Sequence, residues 1–237
     1  MADKNSNNTH MRWLKRLGAL LALPLCLSVT QCGSLPSSDA GSGTINVGLS
    51  AGGLQNVPGV FATVTELAMD SVKLVLGRVR FVSVAGDSLD FRLDSALVVK
   101  LNLNGAVTNL GSISAPVGVY NESRFRLLKL DSLSSPIVYK NNPDVRDVSI
   151  RVDGFVDGNL DSTFSWTTDL VDELVQTGRQ FTVTDGGVVN LIFNLDINGW
   201  FTDTSGGTLD PRIDATGDLK IAVENNIKTG FDVQFVP

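Results

Sequence analysis

A period of two in the apolar residues constrains this chain more than any other feature. Ile45, Val47 and Leu49 are spaced by Asn46 and Gly48, and Val72, Leu74 and Leu76 by Ser71, Lys73 and Val75. After Gly77 the pattern resumes through Val79 and Phe81, and in Arg124-Phe125-Arg126-Leu127 charged and apolar residues take opposite sides. Side chains on a strand alternate between its two faces, so such runs predict half-buried strands with one wet face. Further strands are expected over 89–93, 97–103, 109–113, 123–130, 148–152, 163–167, 180–184, 188–197, 220–223 and 231–235. Ala85-Gly86-Asp87-Ser88 is a turn signal, and Asp185-Gly186-Gly187 predicts a hairpin between the strands on either side. One segment, Asp169 to Gln176, reads as helix, with Leu170, Val171, Leu174 and Val175 on one face and Gly178 after it. Leu133 to Asp144, with Pro136, Pro143 and Asn141-Asn142, reads as a long loop. The expected fold is therefore all-β: an antiparallel β-sandwich of immunoglobulin or transthyretin-like kind with at most one or two short helices. Residues 44–237 are expected to form a single domain, and the loop at 131–145 is where a subdivision would fall.

The first residues are of a different kind. Met11-Arg12-Trp13-Leu14-Lys15-Arg16 is basic, and Leu17 to Val29 is an almost unbroken apolar run. A basic stretch followed by about 7–15 apolar residues is the pattern of a secretory signal. The run falls short of the roughly 20 apolar residues that span a bilayer, and Pro24 inside it opposes a permanent membrane helix. The polar, Asn-rich residues before Met11 suggest that translation starts at Met11. The run ends Gln31-Cys32-Gly33-Ser34, without the small-residue cut site of an ordinary signal. This segment resembles a lipobox, in which the cysteine after the cut receives a diacylglycerol and an N-acyl chain. Gln31 departs from the small residue usual there. The competing reading makes Cys32 an incidental apolar residue of the signal. The expected layout is thus a signal peptide over 1–31, then a lipidated Cys32 and a flexible tether over 32–43. The Gly- and Ser-rich tether cannot bury a core, and its eleven residues from Gly33 would reach roughly 20 Å.

Composition narrows the chemistry. After residue 32 the chain carries 15 basic and 24 acidic side chains. An acidic surface opposes nucleic acid and broad electrostatic attachment to anionic lipid. Aspartate outnumbers glutamate about five to one, which suits turns rather than helices. Both cysteines, Cys26 and Cys32, lie in the N-terminal segment, and so does the only histidine, His10. A domain without imidazole or thiol cannot run Ser-His-Asp or Cys-His catalysis, bind zinc through Cys and His, or carry thiol redox chemistry.

Several segments together resemble a family of bacterial envelope lipoproteins whose β-sandwich domain has no assigned function. They are Gly43-Thr44-Ile45-Asn46-Val47, the run from Leu97 through Leu110-Gly111-Ser112 to Ala115-Pro116-Val117-Gly118-Val119-Tyr120, and Phe181-Thr182-Val183 followed by Leu191 to Asn198. Val117 stands where that family usually has Ala, and Asn194-Leu195-Asp196 where it has a more acidic stretch. The resemblance implies a lipid-anchored protein of the cell envelope; separately, Gly33 rather than Asp after Cys32 favours the outer membrane. The resemblance implies no catalytic residue and no cofactor.

Carboxylates remain as candidates. Asp153, Asp157 and Asp161 surround two glycines, and Asp203 and Asp210, with Asp214, form a second group. Calcium favours oxygen-rich flexible loops, so either group would offer it ligands. The plainer reading is turns. Paired acids would also serve glycoside hydrolysis, but no pair stands out. Trp200-Phe201 is the candidate binding site, since indole faces stack on sugars or anchor a partner. The alternative is that both rings cover one open end of the sandwich. The expected partners are a membrane, through the N-terminal lipid, and an envelope protein or glycan.

Overall fold

The computed structural model describes residues 41–52, 67–213 and 217–236, apart from the side chains of 90–95 and 236. The expected signal peptide, Cys32 and all but the last residues of the tether lie outside them. Within the described residues, ten strands in two sheets, with two short helices, make an all-β sandwich.

The first sheet is built on β1 (Ser42–Gly52). It lies between β4 (Thr108–Pro116) and β9 (Val188–Asp196), and β10 (Phe231–Val236) closes the far side of β9. Alternation delivers Ile45, Val47, Leu49 and Ala51 to the core, facing the same interior as Leu191, Phe193 and Leu195. One strand pair departs from the antiparallel pattern: β1 runs parallel to β9, with Asn46 opposite Asn190. A polar rung across three strands pins that register: Ser112 Oγ donates to Asn46 Oδ1 at 2.7 Å, and Asn46 Nδ2 donates to Asn190 Oδ1 at 2.8 Å.

The second sheet is organised by β2 (Leu67–Ser83), a strand of 17 residues. One edge pairs with β3 (Ser88–Lys100). The other edge carries β5 (Gly118–Leu127) and then β6 (Ile150–Val156) end to end, since Leu76 faces Leu127 and Leu74 faces Ile150. Outside these, β7 (Asn159–Thr168) pairs with β6 and β8 (Asp172–Val183) with β5, again end to end. Gly77 explains the interrupted alternation in β2. The register shifts between Leu76 and Arg78, so Val72, Leu74 and Leu76 before the bulge and Val79 and Phe81 after it all point inward. The two inner faces meet in aromatic contacts: Phe125 of the second sheet lies 5.5 Å from Phe193 and 5.8 Å from Phe231 of the first. Phe125 and Phe193, both fully buried, each contribute about 2–3 kcal/mol by leaving water.

Four local expectations are corrected. The expected helix at Asp169 to Gln176 is a kink followed by β8; Leu170 and Leu174 are buried, whereas Val171 and Val175 are exposed. Pairing with β5 supplies a full ladder of hydrogen bonds that an isolated two-turn helix cannot match. The expected strand at Lys220 to Val223 lies inside helix α2 (Asp218–Thr229), which buries Leu219, Val223 and Ile227 at a spacing of four. The turn at Asp185-Gly186-Gly187 makes no hairpin: β8 and β9 belong to different sheets, so it is a corner between layers. The expected loop at Leu133 to Asp144 contains helix α1 (Pro136–Asn141) and a 3-10 turn at Pro143–Val145. Residues 128–149 thus form an excursion between the collinear β5 and β6. It builds a satellite cluster of Leu130 and Val145 against Val75 and Ala96 on the outer side of the second sheet.

Candidate functional site

The sequence candidates disperse. Asp153, on β6, accepts both contacts of Arg151 Nε at 2.9 Å, and burial, which opposes ionisation, is outweighed by that pairing, so its carboxyl stays below the usual range. It borders an open groove of about 550 Å³ that also touches Asp70 and Phe164 but neither Asp157 nor Asp161. Asp157 sits at φ 59° in the tight turn between β6 and β7, followed by Gly158 at φ 63°, the geometry of a type I′ hairpin. Asp161 is exposed and its amide bonds the Asn159 side chain at 3.0 Å. Asp203 accepts from Ser205 N and Oγ and from Gly207 N, and these bonds, led by the Ser205 hydroxyl, hold its carboxyl low. Asp210 is clamped by Arg212 at 2.6 Å. Asp214 lies outside the described residues. Among those residues no group of three or more His, Cys, Asp or Glu side chains converges on a common point. The acids work as turn-makers and ion-pair partners.

Trp200 and Phe201 are buried, 0% and 2% exposed. Phe201 packs edge-on against Trp166 at 5.4 Å and Phe164 at 6.1 Å. Asn226 of α2 closes over the segment, donating to the carbonyls of Trp200 and Thr202 at 3.0 and 2.7 Å. Neither ring presents a face on which a sugar could stack.

Charge gathers on the outer side of the second sheet. Arg78 faces Arg126 and Arg80 faces Arg124 across β2 and β5. Like charges so placed repel, and Glu173 of β8 relieves this by accepting from Arg78 at 2.9 Å and Arg124 at 3.0 Å. Burial pushes the Glu173 carboxyl up, but the two arginines prevail and hold it below its ordinary value. The patch is largely self-compensating.

The end of the sandwich where the chain enters β1 is built differently. Gly41 O accepts from Val117 N at 3.0 Å, Ser42 O from Gly186 N at 2.9 Å, and Gly187 O from Thr44 N at 2.8 Å. The incoming chain is therefore gripped between two sheet-switching corners, 116–118 and 184–187. Gly43 is required by this grip: a Cβ there would lie 2.6 Å from Thr184 O and 2.8 Å from Gly187 O. Beside it opens an apolar groove of about 580 Å³ between the β2–β3 turn and the β4–β5 corner, where Val84 N donates to Val119 O at 2.8 Å. Its floor is Tyr120, stacked on Phe181 at 5.1 Å with its hydroxyl donating to Pro116 O at 3.0 Å. Burial, and then the charge of Asp87, push the Tyr120 hydroxyl above its usual pKa. In the sequence, Pro116-Val117-Gly118-Val119-Tyr120 reads only as a turn feeding a strand. Nothing in the order of residues tells that Val84 lies against it.

Comparison with known protein families, with curated proteins and with solved structures finds no match. Among the described residues no helix is long and apolar enough to cross a membrane.

Proposed function

We propose that this chain is a membrane-anchored lipoprotein of the bacterial cell envelope, whose β-sandwich serves as a binding or structural module rather than an enzyme. The single observation that carries the reading is Cys32: a lone cysteine at the end of an export-type apolar run, followed by a Gly/Ser-rich stretch and then by a domain with no other thiol. The clamped start of β1 is consistent with it, since a tether bearing load needs a fixed root. The outer membrane is the favoured address. The resemblance to envelope lipoproteins points the same way, and the acid side chains engaged by Arg151, Arg212 and backbone amides favour a module without metal or hydrolytic chemistry.

The test is the intact mass of the protein extracted from membranes, beside a Cys32→Ser variant. The expected result is a chain beginning at Cys32 and bearing lipid, with the variant unprocessed or released. Gln31, unusual before such a cysteine, favours a second reading in which the domain is secreted without lipid. A chain that begins elsewhere and carries no lipid establishes that alternative.

A further inference from the structure

We infer that the tether-side end of the sandwich is a membrane-docking surface, and that Val84, Val117 and Val119 rest on the headgroup–acyl boundary of the bilayer that holds the lipid anchor. The inference rests on the lipoprotein reading above and adds an orientation to it.

Three observations converge on this end. The first is the reach of the chain. Nine residues, Gly33 to Gly41, separate Cys32 from the clamped contact with Val117. A Gly/Ser-rich sequence of that length spans roughly 15–18 Å on average and about 30 Å when fully extended. With Cys32 in a bilayer, the clamped Gly41 cannot lie further than that from the anchor. The second is exposure. Val84, Val117 and Val119 are 57%, 42% and 38% exposed, and Val188, at the same end, is 58% exposed. These four are a third of the twelve large apolar side chains that the described residues leave in water, so they cluster where the tether arrives. With Ala85, Leu89 and Pro116, the first three of them border one apolar groove. The third is charge. Asp87 is the one charged side chain among the described residues lining that groove. Attraction to anionic lipid is therefore not what would hold it there; burial of valine is, and the anchor supplies the local concentration. Two chain reversals at this end, the β2–β3 turn and the β4–β5 corner, are braced by the Val84–Val119 and Tyr120–Pro116 hydrogen bonds, so the surface is preformed.

The experiment uses the full-length lipidated protein in phosphatidylcholine vesicles. An environment-sensitive fluorophore is placed on Val117→Cys or Val84→Cys, with Ile137→Cys, exposed on the excursion of the second sheet, as the control. Intact mass establishes the lipid on Cys32 in each sample. The expected result is a blue shift at 117 and 84 and loss of most of their emission to a nitroxide carried at shallow depth in the lipid, with neither effect at 137. Raising the salt, or adding phosphatidylglycerol, leaves the quenching no stronger. Lipidated protein whose 117 and 84 probes stay as wet as 137 overturns the docking surface while leaving the anchor intact. A blue shift without quenching by lipid-borne nitroxide also overturns it, by showing that a second copy or another protein covers the valines. Protein without lipid at Cys32 overturns the anchor and the docking together.

Discussion

Trp200 and Gly43 show how differently one side chain can matter here. Trp200 is the largest fully buried side chain of the described residues, and it lies beside Phe201 under α2. Truncating it removes the transfer free energy of an indole and leaves a cavity that the sheets cannot close. Trp200→Ala is expected to cost about 3–5 kcal/mol, read as a fall in the urea midpoint at unchanged slope. If Trp200 served a ligand instead, stability would barely move. Gly43 has no side chain to lose, and its importance is the space it leaves. The backbone carbonyls of Thr184 and Gly187 occupy the position a Cβ would take. Gly43→Ala must push the 184–187 corner away from β1, at a cost of about 1–3 kcal/mol. Faster amide exchange at Thr44 and Gly186, whose N–H groups close the grip, would report the loosening. Neither consequence is legible from residue type alone: tryptophan is as much at home on a binding surface, and glycine in any turn.

At the scale of elements, the excursion at 128–149 is separable from the sandwich. β5 and β6 continue one another along β2, so the chain leaves and returns at nearly the same point. Its small cluster around Leu130 and Val145 sits outside the main core. Leu130→Ala is expected to cost about 2–3 kcal/mol locally. Hydrogen exchange should quicken at Tyr139 and Asn142, whose amides bond Ser135 and Val138, while the amides of β9 and β10 keep their protection. Uniform acceleration across the molecule would mean that the cluster belongs to the core after all. The same scale explains the misread segments. Residues 169–176 have a short helical stripe, but β5 offers an edge only tertiary structure brings near. Residues 220–223 alternate over too short a window to reveal the four-residue spacing of Leu219, Val223 and Ile227.

For the molecule as a whole, the carboxylates set the acid limit of stability. Glu173, Asp153 and Asp144 all have folded pKa values below their ordinary ones; burial opposes this at Glu173 and Asp153, and the Lys73 hydrogen bond leads it at Asp144. A depressed folded pKa means the unfolded chain binds protons first, so stability rises with pH in that interval. The contribution is complete above the ordinary carboxylate range, roughly pH 4–5, and is lost as pH falls through the folded values. Glu173→Gln should therefore cost about 1 kcal/mol at pH 7 and much less near pH 3, read from urea midpoints at the two pH values. Equal losses at both would place the effect in packing. The sequence by itself determined most of the strand content, the wet and dry faces, the lack of any histidine or cysteine after residue 32, and the expectation of an anchor at Cys32, because alternation, composition and a basic-then-apolar run are local properties. Only the tertiary structure decided that β1 runs parallel to β9, that the Asp185-Gly186-Gly187 turn joins layers rather than neighbours, and that Val84 meets Val119 beside the start of β1. Those facts depend on contacts between residues far apart in the chain, and their energy exists only once both sheets have formed around a shared core.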